Sequence, residues 1–330
     1  MPLQNRAETA IARHHTYLLL SRLFSGGLTN DLLPHVEQIP ELASASPQPF
    51  DPEESAVEHQ RIFSFDIFPY ESIFRDPSGL VGGAYSSMVQ DHYKQSAFRQ
   101  IVDCDHIGYE LAFLAFLCVN QATMLGNKQA AEAYRSTQLQ QKFIQDHLLC
   151  WLSPFANALT FSGQPFFAAL GQLTLHLVYD HLLHLSTAYS RWKERPDTDA
   201  GHVLAEAPDN LQENQTGLKQ ISRFLLTPPF SGLYLSRSAI TKLARNHKLP
   251  RGFGDRQQLL ANLLRAAGQY DAVPELLLEL TAISNTWNQA YQQQLANYPE
   301  LERWIRPWQQ RVTKTTDSLV QMSNMVYSAA

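Results

Sequence analysis

The chain has 330 residues, 44% of them hydrophobic and 17% charged, with a formal net charge of -5; that is enough apolar material for one large core or two modest ones. No window approaches the ~18 consecutive apolar residues of a membrane span, and the start, MPLQNRAETAIARHH, has polar residues and two histidines where a secretory signal has its apolar run, so a cytoplasmic location is expected. The three cysteines, Cys104, Cys118 and Cys150, are odd in number and form no CxxC pair, which argues against a disulfide framework and against a zinc or iron–sulfur site and for reduced, mostly buried thiols.

Apolar residues spaced three and four apart dominate, without alternation long enough to seed a sheet, and this predicts an all-α fold. The first helix is expected over roughly 5–24, with Ile11, Leu18 and Leu19 on one side and a stop at Gly26–Gly27. A short helix near 31–38 follows, and 41–56, rich in proline, serine and carboxylates, reads as a surface connection. Aromatics crowd residues 63–74, FSFDIFPYESIF; Phe63, Phe65, Phe68 and Phe74 read as packing residues, Tyr70 and Ser72 as candidates for contact.

Helices are also expected over 103–125 and 165–190. Residues 193–217, with two prolines and few apolar side chains, have the composition of a flexible linker. The expected organisation is a helical domain over 1–192, the polar linker, and a helical region over 218–330 made of four amphipathic segments punctuated by Pro and Gly. Charge divides along the same line: residues 1–218 carry 13 Lys+Arg against 24 Asp+Glu, whereas 219–265 carry 9 against 1. An acidic surface attracts basic peptides and a basic one attracts anionic faces, so the two sections should meet different company.

The segment Val102 to Leu117, VDCDHIGYELAFLAFL, is the most informative. Asp103 is the expected N-cap, with Asp105 and His106 on the first turn, Glu110 one turn on, and Ile107, Leu111, Leu114 and Cys118 down an apolar face. Asp105-His106-Ile107-Gly108-Tyr109-Glu110-Leu111-Ala112-Phe113 resembles the Asp-His-Ile-x-x-Glu-Leu-x-Phe signature of the TorD/DmsD/NarJ-type redox-enzyme maturation chaperones. Glu58-His59-Gln60-Arg61-Ile62-Phe63 and Pro69-Tyr70-Glu71-Ser72 are similar to upstream blocks of that family. Phe143 to Phe155 is similar to its downstream helix with a Trp-x-x-Pro-Phe pattern, and Pro165-Phe166-Phe167 opens a helix as in the family. The resemblance covers roughly 10–190. Cys104 stands where a proline is usual and Leu114 where a methionine is, and the shorter family members lack the extension from 219 to 330.

The resemblance implies a helical chaperone, not an enzyme, that binds the twin-arginine signal peptide and apoenzyme of a molybdopterin-dependent oxidoreductase, delays export and assists cofactor insertion. Two arginines need carboxylates and the apolar part of a signal peptide needs an apolar groove. The residues expected to serve them are Tyr70, Ser72, Asp103, Asp105, His106, Glu110 and Phe113, with Phe68 and Phe74 adding apolar surface. The expected partner is the catalytic-subunit precursor with its signal peptide; no cofactor or metal of the chain's own, no nucleic acid and no membrane insertion are expected, and a homodimer is allowed by swapping across the linker.

Other readings carry less. His106 and Glu110 have ligand spacing, with Asp103 or Asp105 as a third group, but no His or Cys motif completes a shell, and carboxylates at a helix N-terminus follow from its dipole. His176, Asp180 and His184 lie on one stripe beside His181, yet span about 12 Å, too far to converge on one ion. The basic pair SAITKLARNHKLP and GFGDRQQLLANLLRAAG is a weak helix-turn-helix, and its GFG is no phosphate loop. No catalytic motif is present. A helical scaffold acting through 219–265 and a metal-dependent helical hydrolase stand as the alternatives.

Overall fold

A computed structural model describes residues 3–100, 102–189, 204–208 and 217–329. Among these the chain is helical without a strand, as the periodicity predicts. In chain order the helices are α1 (Leu3–Gly26), α2 (Leu33–Val36), α3 (Pro40–Ala43), α4 (Pro52–Gln60), α5 (Glu71–Arg75), α6 (Gly83–Gln95), α7 (Ile107–Gly126), α8 (Ala130–Phe143), α9 (Leu149–Phe161) and α10 (Pro165–Tyr189). The extension adds α11 (Leu218–Leu226), α12 (Pro228–Ser231), α13 (Arg237–Asn246), α14 (Arg256–Gln269), α15 (Val273–Asn297) and α16 (Glu302–Ala329). Wider π-helical turns over Arg61–Asp66 and Ile144–Leu148 continue α4 and join α8 to α9.

Helix α7 is the axis of the core. It is the one helix among the described residues long and apolar enough to cross a membrane, but Ile107, Leu111, Leu114, Leu117 and Cys118 are buried against its neighbours. Its closest companion is α1, and Gly108 makes the approach possible: a Cβ there would stand 2.1 Å from Ser25 Oγ and 3.1 Å from the Ser21 carbonyl. The side of α1 turned inward is Tyr17, Leu20, Leu23 and Phe24, spaced three and four apart, while Ile11 and Leu18, expected to share an apolar side, face solvent. The 41–56 segment is less irregular than its composition implies, because helices enter it at both ends: Pro40, just ahead of it, opens α3, and Asp51 caps α4 by accepting from Glu53 N (2.8 Å) and Glu54 N (3.3 Å) beside Pro52. Most of 193–217 lies outside the described residues; of its 204–208 stretch, Leu204 is buried and Arg311 donates to the Ala205 carbonyl (2.8 Å).

The extension is joined to the preceding helices by buried polar contacts as well as apolar ones. Pro154 sits inside α9, where its missing N–H leaves the Cys150 carbonyl without its helical donor. Trp308 of α16, itself fully buried, donates its indole N–H to that oxygen (3.1 Å), and Trp304 does the same for Gln145 O (3.0 Å). Gln294 of α15 bonds Asn157 (2.9 Å) and Ser153 of α9. Tyr234, between α12 and α13, stacks on Phe74 (ring centroids 5.2 Å apart), and its hydroxyl donates to Asp66 O (3.0 Å). The Asp66 carboxylate in turn accepts from Ser238 N (2.8 Å) and Ser238 Oγ (2.6 Å) at the start of α13.

Candidate functional site

The two most distinctive sequence blocks, 69–72 and 105–113, meet in space. Ile107 N donates to Pro69 O and Glu71 N donates to Asp105 O, both at 2.9 Å, which pairs Tyr70 with His106 as an isolated antiparallel bridge. Asp105 reinforces the pairing by accepting the Ser72 N–H on Oδ2 (3.0 Å). The Ser72 hydroxyl accepts from Gly82 N (3.0 Å) and so ties down the 76–83 loop. Local chain geometry makes this possible: Asp103 takes a left-handed turn (φ 53°), which lets the chain double back before α7 begins.

The helix start differs from the expected one. The N-cap is His106, whose Nδ1 accepts the Gly108 N–H (3.0 Å), and α7 begins at Ile107. Asp103 and Asp105 therefore lie before the helix, not on its first turn. Burial pushes the His106 imidazole down to about 4, with the nearby His59 adding to the effect, so the ring is neutral and its Nδ1 free to accept.

Beneath the bridge lies a closed acidic network. Glu71 is fully buried, its carboxylate held by Arg75 and by His147 Nδ1 (2.9 Å). Burial works against the charge, but His147 and Arg75 outweigh it and hold the carboxyl below its usual range. Arg75 also donates to Asp146 O (2.8 Å) and stacks over Tyr85 (4.6 Å to the ring centroid). Glu110 is equally buried and accepts from Trp151 Nε1 (3.3 Å). Burial, then the charges of Glu71 and Asp105, drive its carboxyl well above the usual range and so favour the protonated form. Phe113 belongs to the same interior, with Tyr93 and Phe143 each 4.8 Å away.

The seven candidate residues thus divide. Ser72, Asp105, Glu110 and Phe113 are interior and closed to solvent, whereas Asp103 is exposed and Tyr70 and His106 are half-buried. Tyr70 and His106 pack edge to face (5.0 Å), and Tyr109, half-buried, continues the aromatic row at 5.7 Å from His106. Asp103 is close enough for its charge, after burial, to raise the Tyr70 phenol. Phe63 and Phe74 are core residues as expected, Phe68 is half-buried, and Phe65 points to solvent. The sequence reading missed Arg75, His147 and Trp151; the i,i+4 spacing of Glu71 and Arg75, and of His147 and Trp151, was the available signal.

Elsewhere, His181 is a core residue, bonded to Tyr17 (2.9 Å) and Gln140 (3.0 Å), and His184 pairs with Asp180. Among the described residues no group of three or more His, Cys, Asp or Glu side chains is placed to hold a metal ion. All three cysteines are buried and free, and burial pushes the Cys118 and Cys150 thiols up to about 12.

Residues 29–157 match the family model described as the nitrate reductase delta subunit. The match spans α2 through most of α9 and so contains both partners of the bridge and the acidic network; α10 and the extension lie beyond it. No curated protein matches the chain.

Proposed function

From the premise that residues 29–157 belong to the TorD/NarJ-type family of molybdoenzyme maturation chaperones, we propose that this protein binds the twin-arginine signal peptide of one molybdopterin oxidoreductase precursor on the rim formed by Tyr70, Asp103 and His106. Chaperones of this family are cytoplasmic, act by binding rather than catalysis, and take the precursors of molybdoenzyme catalytic subunits as partners.

The observation that carries the reading is the rim's composition: an exposed carboxylate beside a row of aromatic rings, set on a rigid buried base. A guanidinium takes both, by a charge-assisted hydrogen bond to Asp103 and by stacking on Tyr70 or Tyr109. The apolar part of a signal peptide has a surface nearby, because the loop tied to Ser72 exposes Leu80 (69%) and Val81 (48%). Ser72, Asp105, Glu110 and Phe113 serve from below, by fixing the rim. Holding the signal peptide on this rim would keep the precursor from export while its cofactor is inserted.

The test is affinity capture from the native cytoplasm followed by mass spectrometry, with the full chain and with Tyr70→Ala plus Asp103→Lys. The wild type should retain a molybdopterin oxidoreductase precursor, and the variant should lose it while melting at an unchanged temperature. Equal retention by both proteins rules out the rim.

A further inference from the structure

The structure assigns a second surface, outside the family-matched region: the α13–α14 corner of the extension is a peripheral docking site for an anionic lipid bilayer. Its centre is the loop Pro250-Arg251-Gly252-Phe253-Gly254, in which Phe253 is 91% exposed, more than any other large apolar side chain described. The ring stands at a loop tip between two glycines, with no wall of its own protein beside it.

Cationic side chains surround that tip. Arg251 lies in the loop itself, and Arg237 reaches it from the start of α13 by donating to Gly254 O (3.1 Å). Arg265 reaches it from α14 by donating to Asn262 Oδ1 (2.8 Å), Asn262 being the side chain against Gly252. Lys248 stands exposed just ahead of the loop. Along α13, Arg237, Lys242 and Arg245 occupy the solvent arc opposite buried Ile240 and Leu243. The single acid of 219–265, Asp255, is spent capping α14 through Gln258 N (2.8 Å). None of Arg237, Lys248, Arg251 or Arg265 forms an ion pair among the described residues.

The occupant follows from shape and charge together. A ring projecting from a tip needs a partner that closes around it, and the acyl boundary of a bilayer does so without a matched pocket, while anionic headgroups take the surrounding guanidinium and ammonium groups. A folded acidic partner would have to bring a pocket for the ring, because the small cavity beside the loop, lined by Ile240, Ala244, Pro250, Arg251, Leu259 and Leu263, does not take in Phe253. The contact is shallow: one aromatic ring at headgroup depth and a ring of cations above it, with no helix crossing.

Co-sedimentation of the full chain with vesicles decides the matter, using equal parts phosphatidylglycerol and phosphatidylcholine against phosphatidylcholine alone. The wild type should sediment with the anionic vesicles alone and be released by salt. Arg251→Glu plus Arg265→Glu should lower the partition coefficient by at least about tenfold, at roughly fivefold per cation removed. Phe253→Ser should lower it by about tenfold through the lost ring burial. All three positions are exposed, so unchanged thermal melts verify the fold; should the charge reversals disturb it, Arg251→Gln plus Arg265→Gln replaces them. The assignment fails if the wild type ignores anionic vesicles at low salt or if Phe253→Ser binds them as well as the wild type. It fails too if the chain prefers polyglutamate or a DNA duplex in the same buffer.

Discussion

The 69–75 and 103–113 segments, with His147 packed against them, contribute to two unlike regions. One is the interior network of Glu71, Arg75, Asp105, Glu110 and His147; the other is the rim of Tyr70, Asp103 and His106. The network contains most of the charge and meets little solvent, and the rim has one carboxylate and two rings, with Tyr109 beside them, within reach of a partner. A signature motif is therefore not a list of contact residues. Its buried Asp105 holds the bridge between two distant blocks, and that bridge sets where the exposed side chains stand.

If the comparison is right, the two regions should separate cleanly under substitution. The largest effect should come from Arg75→Ala, which strands a buried Glu71 with only His147 to oppose its charge; an uncompensated interior charge costs ~3–5 kcal/mol, read by chemical denaturation. A loss below ~1 kcal/mol would mean that the network is not the base described.

Acid should weaken the molecule next. Burial pushes the imidazoles of His92 and His106 down to about 4, and lowers His59 and, more strongly, His181. Each is protonated more readily unfolded than folded, so its stabilisation is complete above the ordinary value of 6.5 and drains away as pH falls from there toward 4. Melting temperature should fall across that window. His106→Asn keeps an acceptor for the Gly108 N–H and removes one of the protons, so its fall should be shallower; parallel curves would contradict the cap assignment.

The smallest stability effect should be Asp103→Asn, within about 0.5 kcal/mol, because the side chain is exposed and asparagine tolerates the left-handed turn. Affinity for the precursor's signal peptide, followed by fluorescence anisotropy, should nonetheless fall about tenfold for a lost charged partner. A variant that unfolds, or one that binds unchanged, would erase the distinction between rim and base.

Much of this was legible in the sequence, and the failures share a cause. Helix periods, the breaks at Gly and Pro and the matched blocks predicted the all-α fold and the family, since these are local patterns. Asp103 looked like an N-cap because an acid before an apolar run usually is one, but a second acid two residues on took the Ser72 N–H and moved the helix start to His106. Burial of Glu71 and Glu110 could not be read locally, because their partners lie 76 and 41 residues away. The inward side of α1 was misjudged for the same reason: Ile11 and Leu18 are as apolar as Leu20 and Leu23, and only the position of α7 chooses between them.

The indole of Trp308 on the Cys150 carbonyl makes the extension a structural partner of α9. Proline at 154 creates a debt in α9 that the described chain settles with a residue more than a hundred positions downstream. Removing α16 would hand that oxygen to water and open the side of α9 against which Trp304 and Trp308 pack. A chain cut ahead of α11 would uncover that face of α9, including the Ser153 and Asn157 groups that Gln294 meets, so the extension completes the core that the family-matched residues begin.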